Sequence, residues 1–215
     1  MPKNVPFHTI SLSIATVLGV ALLMIDCGSS SSSTLTPAQA QAVASAVSSS
    51  VSQSLKGAFG VASPKTDLGV TGIEESSPRA STPTCTLPPS GGTYNCMVAQ
   101  TVPCSGGGTI SVSGDIMGTL DSSGTGSVQE QIAARPANCS VDGLVLNGGP
   151  VNVDGTINVS SGMIVFPVTA SETGSVTFGP KPSDVCVLDV TFTVNSNLAC
   201  TTTGTACGQP VSGSC

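Results

Sequence analysis

The residues of this chain with chemistry to offer are nine cysteines and one carboxylate on a greasy face. Cys27 stands apart near the start, and the other eight follow from residue 85 on: Cys85, Cys96, Cys104, Cys139, Cys186, Cys200, Cys207 and Cys215. An even set of cysteines can pair as disulfides or hold a metal. No C-x-x-C pair occurs and no His follows His8, so the usual spacing and nitrogen ligand of a zinc site are both missing. Four disulfides are expected, with their pairing left open, in a compartment that keeps thiols oxidised. The carboxylate is Glu130, which shares a parity with Val128 and Ile132. There it would line the rim of a ligand pocket, with a raised pKa if desolvated, or simply mark a strand end.

Catalytic constellations are scarce. Once the leader that holds His8 is removed, no His remains, so Ser-His-Asp and Cys-His nucleophiles are impossible. No nucleophile elbow, P-loop or dinucleotide fingerprint occurs. Asp142-Gly143 and Asp154-Gly155 lack the further oxygen ligands of a calcium loop and read as turns. A glycosidase-like hydrolase needs two carboxyls at a set separation, and Glu130 is the one acid that the pattern places on an apolar face. No catalytic residue, metal or cofactor is expected. The six Lys and Arg are scattered in a chain of formal net charge -6, with 3% aromatics. That leaves neither a basic patch nor a stacking surface for nucleic acid.

The elements that must carry these groups are strands. Ile110, Val112, Ile116 and Leu120 alternate with small or polar residues. So do Val151, Val153, Ile157 and Val159, then Ile164, Phe166 and Val168, then Val176 and Phe178, and finally Cys186, Leu188, Val190, Phe192 and Val194. A period of two puts every second side chain on one face, so each run predicts a strand with one buried side. Turns are expected at Ser122–Gly126, at Gly148-Gly149, at Ser160–Gly162 and at Ser171–Gly174, with a stiff Pro180-Lys181-Pro182 loop. Connections this short favour antiparallel neighbours. Gly114 and Gly118, on the apolar parity of their strand, suggest a bend, a bulge or close approach of another element, such as a helix. The tail from Cys200 is expected to be held by disulfides instead of packing.

One segment breaks the period. Thr36-Pro37-Ala38-Gln39 is a capping box with Pro at the first helical position. Val43, Val47, Val51 and Leu55 follow at i+4 spacing, with Lys56 in the last turn and Gly57 placed to end the helix. Serine is a mediocre helix former, so this serine-rich helix needs a surface to lie on. Its polar face has almost no Lys or Arg, unlike a membrane-surface helix. The fold class expected is mainly β (α+β): a curved antiparallel meander with one N-terminal amphipathic helix packed on it, stapled by disulfides.

The start of the chain has a different character. Lys3 precedes an uncharged, mostly apolar run from Ile10 to Ile25, then Asp26, Cys27, Gly28 and the serines 29–33. A leader ending at Cys before a polar run resembles the bacterial lipoprotein signal, although Asp26 stands where that family carries a small residue. The resemblance implies a lipid thioether on Cys27, an exported protein, and a membrane as partner through the anchor. The alternative is a plainly secreted protein. The helix start, Asp142-Gly143-Leu144, Asn147-Gly148-Gly149-Pro150 and Cys207-Gly208-Gln209 are similar to features of small Gly/Ser/Thr-rich exported lipoproteins that bring no known activity. The helix on a curved sheet also resembles, in shape alone, the half-barrels of lipoprotein carriers.

The organisation expected is a signal peptide at 1–26, a lipidated Cys27 and tether at 27–35, a helix at 36–57, a flexible linker at 58–84 and a β domain at 85–215. The function expected is a non-enzymatic structural or interaction module in the bacterial cell envelope, facing the periplasm or the outside, whose partner is an unknown envelope protein. The alternative is a carrier that holds an apolar ligand between helix and sheet.

Overall fold

The computed structural model describes residues 35–60, 85–179 and 184–215. The expected signal peptide, Cys27, most of the tether and most of the linker lie outside the described residues. Helix α1 (Pro37–Ala58) begins as its capping box requires. The Thr36 hydroxyl accepts from the Gln39 amide at 3.2 Å, and the Gln39 side-chain oxygen accepts from the Thr36 amide at 3.1 Å. The helix runs one residue past the expected stop. Gly57 lies inside it, and its bare Cα lets Gln100 come close: a Cβ there would lie 2.9 Å from the Gln100 Oε1. The end of the helix is tied down by the Cys85 amide, which donates to the Ala58 carbonyl at 2.9 Å.

Ten strands follow: β1 (Gly92–Pro103), β2 (Thr109–Leu120), β3 (Gly126–Ala137), β4 (Cys139–Val141), β5 (Leu144–Asn147), β6 (Val151–Ser160), β7 (Met163–Phe178), β8 (Asp184–Val194), β9 (Cys200–Ala206) and β10 (Gln209–Ser214). All pairings are antiparallel, and the path runs β1-β2-β3-β6-β7-β8-β9-β10. The short β4–β5 hairpin turns at Asp142-Gly143 and hangs off the edge of β7. The mainly β meander with one packed helix is therefore the architecture of the chain. Leu188, Val190 and Phe192 share the interior, as do Ile110, Val112 and Ile116.

The sheet curls without closing. α1 lies against β9 and β10 at one end of the strand order and against β1 and β2 at the other, and so covers the trough between the two edges. Ser45 Oγ donates to the Ser214 carbonyl at 2.9 Å on the β10 side. Half the helix is buried, and not only its Val stripe: Ser48, Ser50, Ser52 and Ser54 are inside as well. Ser50 and Ser54 return their hydroxyls to the carbonyls of Ala46 and Ser50, at 2.8 and 2.9 Å. That i−4 back-bonding satisfies a buried hydroxyl without any partner from the sheet.

Three local expectations need correction. Ser171–Gly174 is not a turn. β7 is continuous through it, because Asp154 pairs with Ser171 and Val151 with Gly174 on one side while β8 pairs on the other. Two paired neighbours outweigh a turn-like composition. The tail is not merely stapled: β9 and β10 form a hairpin that buries Thr202, Ala206 and Val211. Gly118 does not seat the helix. Its missing Cβ admits β3, since a Cβ there would lie 2.6 Å from the Ser127 carbonyl oxygen.

All eight later cysteines are bridged: Cys85–Cys96, Cys104–Cys139, Cys186–Cys207 and Cys200–Cys215. Cys85–Cys96 joins the segment before β1 to the middle of that strand, and Cys186–Cys207 joins β8 to the β9–β10 turn. Cys200–Cys215 closes the last hairpin, and Cys104–Cys139 ties the β1–β2 turn to the start of β4. Non-reducing peptide mapping should recover these four pairs and no free thiol among the eight cysteines. Replacing Cys104 and Cys139 together with Ser should lower stability by about 2–5 kcal/mol in chemical denaturation.

Candidate functional site

The interior of a sheet is normally apolar, and here two carboxyls break it. Alternation along β3 turns Val128, Glu130, Ile132 and Ala134 inward, and Glu130 is 1% exposed in mid-strand. It is thus neither at a strand end nor on a rim, and among the described residues it is not in the lining of the cavities that flank the helix. The same alternation along β7 turns Val168, Ala170, Glu172, Val176 and Phe178 inward, with Glu172 fully buried. The expected turn at Ser171–Gly174 hid this second acid. The unbroken parity from Val168 to Phe178 was the signal that could have found it.

Register brings the two acids over one strand. Glu130 pairs with Gly155, which pairs onward with Ala170, while Glu172 pairs with Val153, two residues along β6. Gly155 leaves room for the Glu130 carboxyl: a Cβ there would collide with Glu130 Oε1 and lie 2.6 Å from the Ala170 Cβ. From the helix, Ser48 Oγ donates to Glu172 Oε2 at 2.7 Å, a buried hydrogen bond between elements 124 residues apart. The other Glu172 oxygen and both Glu130 oxygens have no partner among the described residues.

Burial decides the charge state. Desolvation, with a smaller push from the Asp154 charge, raises the Glu130 pKa to about 7. Desolvation and the nearby Glu130 raise that of Glu172 to about 8, against the Ser48 hydrogen bond, which pulls it down. Below those values the two neighbouring acids keep their protons, because ionisation would strand charge that no counter-ion among the described residues offsets. Neutral carboxyls of this kind can hold or release a proton. Among the described residues no three His, Cys, Asp or Glu side chains converge in a metal-binding group.

Among the described residues two other buried hydroxyls find no partner, Tyr94 Oη and Ser52 Oγ. Burial pushes the Tyr94 phenol up to about 12. The outward face has another character. Thr169, Thr193 and Thr201 form one cross-strand row of hydroxyls, and Ser171, Thr191 and Thr203 form the next. Cys27, the expected lipid site, lies outside the described residues. Comparison with family models, curated proteins and solved structures returned no match to this chain.

Both acids have folded pKa values above the ordinary carboxylate range, so the folded protein keeps protons that the unfolded chain gives up. The pair's contribution to stability should be full below about pH 4.5, fall as pH rises toward 7 to 8, and level off above that. The loss should be on the order of a few kcal/mol for the pair. Thermal melts from pH 5 to 8 should show this slope, and Glu172→Gln should flatten it. A flat wild-type profile would mean that the carboxyls are not dry. Gly155→Ala should cost about 1–3 kcal/mol, as an overpacked core does, and Glu130→Ala in the same chain should relieve part of it.

Proposed function

We propose that this chain is an exported bacterial lipoprotein, held in the cell envelope by lipid on Cys27, whose β domain works as a non-enzymatic structural or interaction module. One observation supports the module most: the interior under the helix is occupied. Val43, Val47 and Val51 meet the sheet there, and the Glu130 carboxyl fills the space left over Gly155. A carrier holding its ligand at that place needs roughly 300 Å3 or more. The enclosed cavity under the C-terminal end of the helix measures about 30 Å3, room for a water molecule or so, and the larger spaces of about 460–480 Å3 along the helix are open grooves at the surface.

Location is supported from two sides. Four disulfides agree with an oxidising compartment outside the cytoplasm. The reading places attachment on the leader or its lipid, and no helix among the described residues is long and apolar enough to cross a membrane. Acyl chains contribute about 0.8 kcal/mol per buried CH2, so the two or three chains of a bacterial lipoprotein anchor hold stably where one would not. The outward rows of Thr and Ser, flanked by Asp154 and Asp189, offer a polar surface to a partner in the envelope.

Mass spectrometry of the mature N-terminal peptide tests the anchor. The expected species begins at Cys27 and carries a diacylglyceryl group, and Cys27→Ser should release the protein from membranes. A mature start at another residue, or a Cys27 free of lipid, rejects the lipoprotein reading.

A further inference from the structure

The two ends of the sheet are finished differently. β10 is short, 6 residues, and its outer edge is defended. Its hairpin pairs Ala206 with Gln209, and hydrogen-bonded pairs recur at every second residue, so Pro210, Ser212 and Ser214 turn their backbone groups outward. Pro210 has no N–H to offer. The Ser214 carbonyl already accepts from Ser45 Oγ.

β1 lacks these protections. It has 12 residues and pairs with β2 without a register shift, so no bulge twists its edge away. At its turn the Cys104 amide donates to the Gly108 carbonyl at 3.1 Å. Counted back by twos from that bond, the even positions face β2, and Thr93, Asn95, Met97, Ala99 and Thr101 turn N–H and C=O to the open edge. Pro103, which has no N–H, falls on the same outward parity, as a strand edge requires. Among the described residues no hydrogen bond takes those five amides and carbonyls. Their side chains are exposed on the outer face, Met97 by 70%. β1 itself carries no charge, in a chain of formal net charge -6.

A row of free donors and acceptors fits an extended strand, and an uncharged row lets a second copy of this acidic chain approach. We propose that β1 pairs with β1 of a second copy, antiparallel about a two-fold axis at Met97, so that one sheet runs through both. Outward residues must meet outward residues, and a two-fold contact uses the same patch twice. Thr93 then faces the partner's Thr101, Asn95 faces the partner's Ala99, and Met97 faces the partner's Met97. The nearest acid, Asp115, lies beside Met97 on β2. Its counterpart would stand three strand spacings off, about 14 Å, beyond a Debye length.

The test uses the full chain with Cys27→Ser, so that lipid plays no part, in sedimentation velocity. A reversible monomer–dimer equilibrium in the micromolar range is expected, since one strand edge lies at the small end of interface areas. Met97→Lys and Met97→Glu, at an exposed site that spares the core, should each weaken the dimer about ten-fold or more, because like charges then stand directly opposite. Mixing the two variants should restore it as a heterodimer. Met163→Lys, at a site 68% exposed but off the edge, should change nothing. Hydrogen exchange at the Met97 and Ala99 amides should slow as protein concentration rises. A chain that stays monomeric, a dimer indifferent to both Met97 variants, or a mixture that stays monomeric overturns the proposal. So does slow exchange of these amides in a monomer, which means that another segment occupies the edge.

Discussion

Everything in this molecule depends on a sheet that bends far enough to need a lid but not far enough to meet itself. β1 and β10 do not pair, so the inner face would stand open to water along its length. An exposed strip of Val, Ile and Leu costs about 25 cal/mol for each Å2 left wet. α1 removes that strip from solvent. The helix in turn would not persist alone, because serine-rich segments lose too little free energy on coiling to offset nucleation. Sheet and helix are each incomplete, and each supplies the surface the other lacks.

That geometry explains why the helix is built from small residues. It lies deep in a curved trough, touched from both ends of the strand order, and a helix studded with Leu or Phe would hold the strands apart. Ala40, Ala44, Ser48 and Ser52 are short enough to let the backbone approach. The cost is hydroxyls in the interior. Back-bonding to the helix carbonyls satisfies Ser50 and Ser54, and Glu172 satisfies Ser48. The acid pair is best understood in this light. Small residues on the helix, together with Gly155 and Ala170 on the sheet, leave space that two protonated glutamic acids fill, at the expense of holding their protons against a rising pH.

The disulfides act where packing is thinnest. A chain with 8% charged residues and shallow aliphatic walls has few ion pairs and little aromatic surface to fix its ends. The bridges tie the segment before β1 to that strand, hold the β1–β2 turn, and cluster around the β8–β10 corner. Each shortens a loop whose closure entropy the small core would otherwise have to offset. The end of the half-barrel at Phe59 and Phe166 is the place where the apolar lining stays partly uncovered.

Much of this was legible in the residues. Period-two alternation located the strands, because a strand has only two faces and one was to be buried, as the run Cys186 to Val194 shows. Thr36 to Gln39 located the start of the helix, because capping is a local contact across three residues. Both are short-range constraints. The sequence by itself determined which side of each strand is greasy, where the helix begins, and that eight cysteines were available to pair. Tertiary structure alone decided the rest. Ser-Glu-Thr-Gly at residues 171–174 became mid-strand once β6 and β8 flanked it. The disulfide partners were settled by which element ends fold together. Glu130 and Glu172, 42 positions apart in the chain, came to share one dry site, because only long-range register says what lies across the neighbouring strand, and no local pattern encodes it.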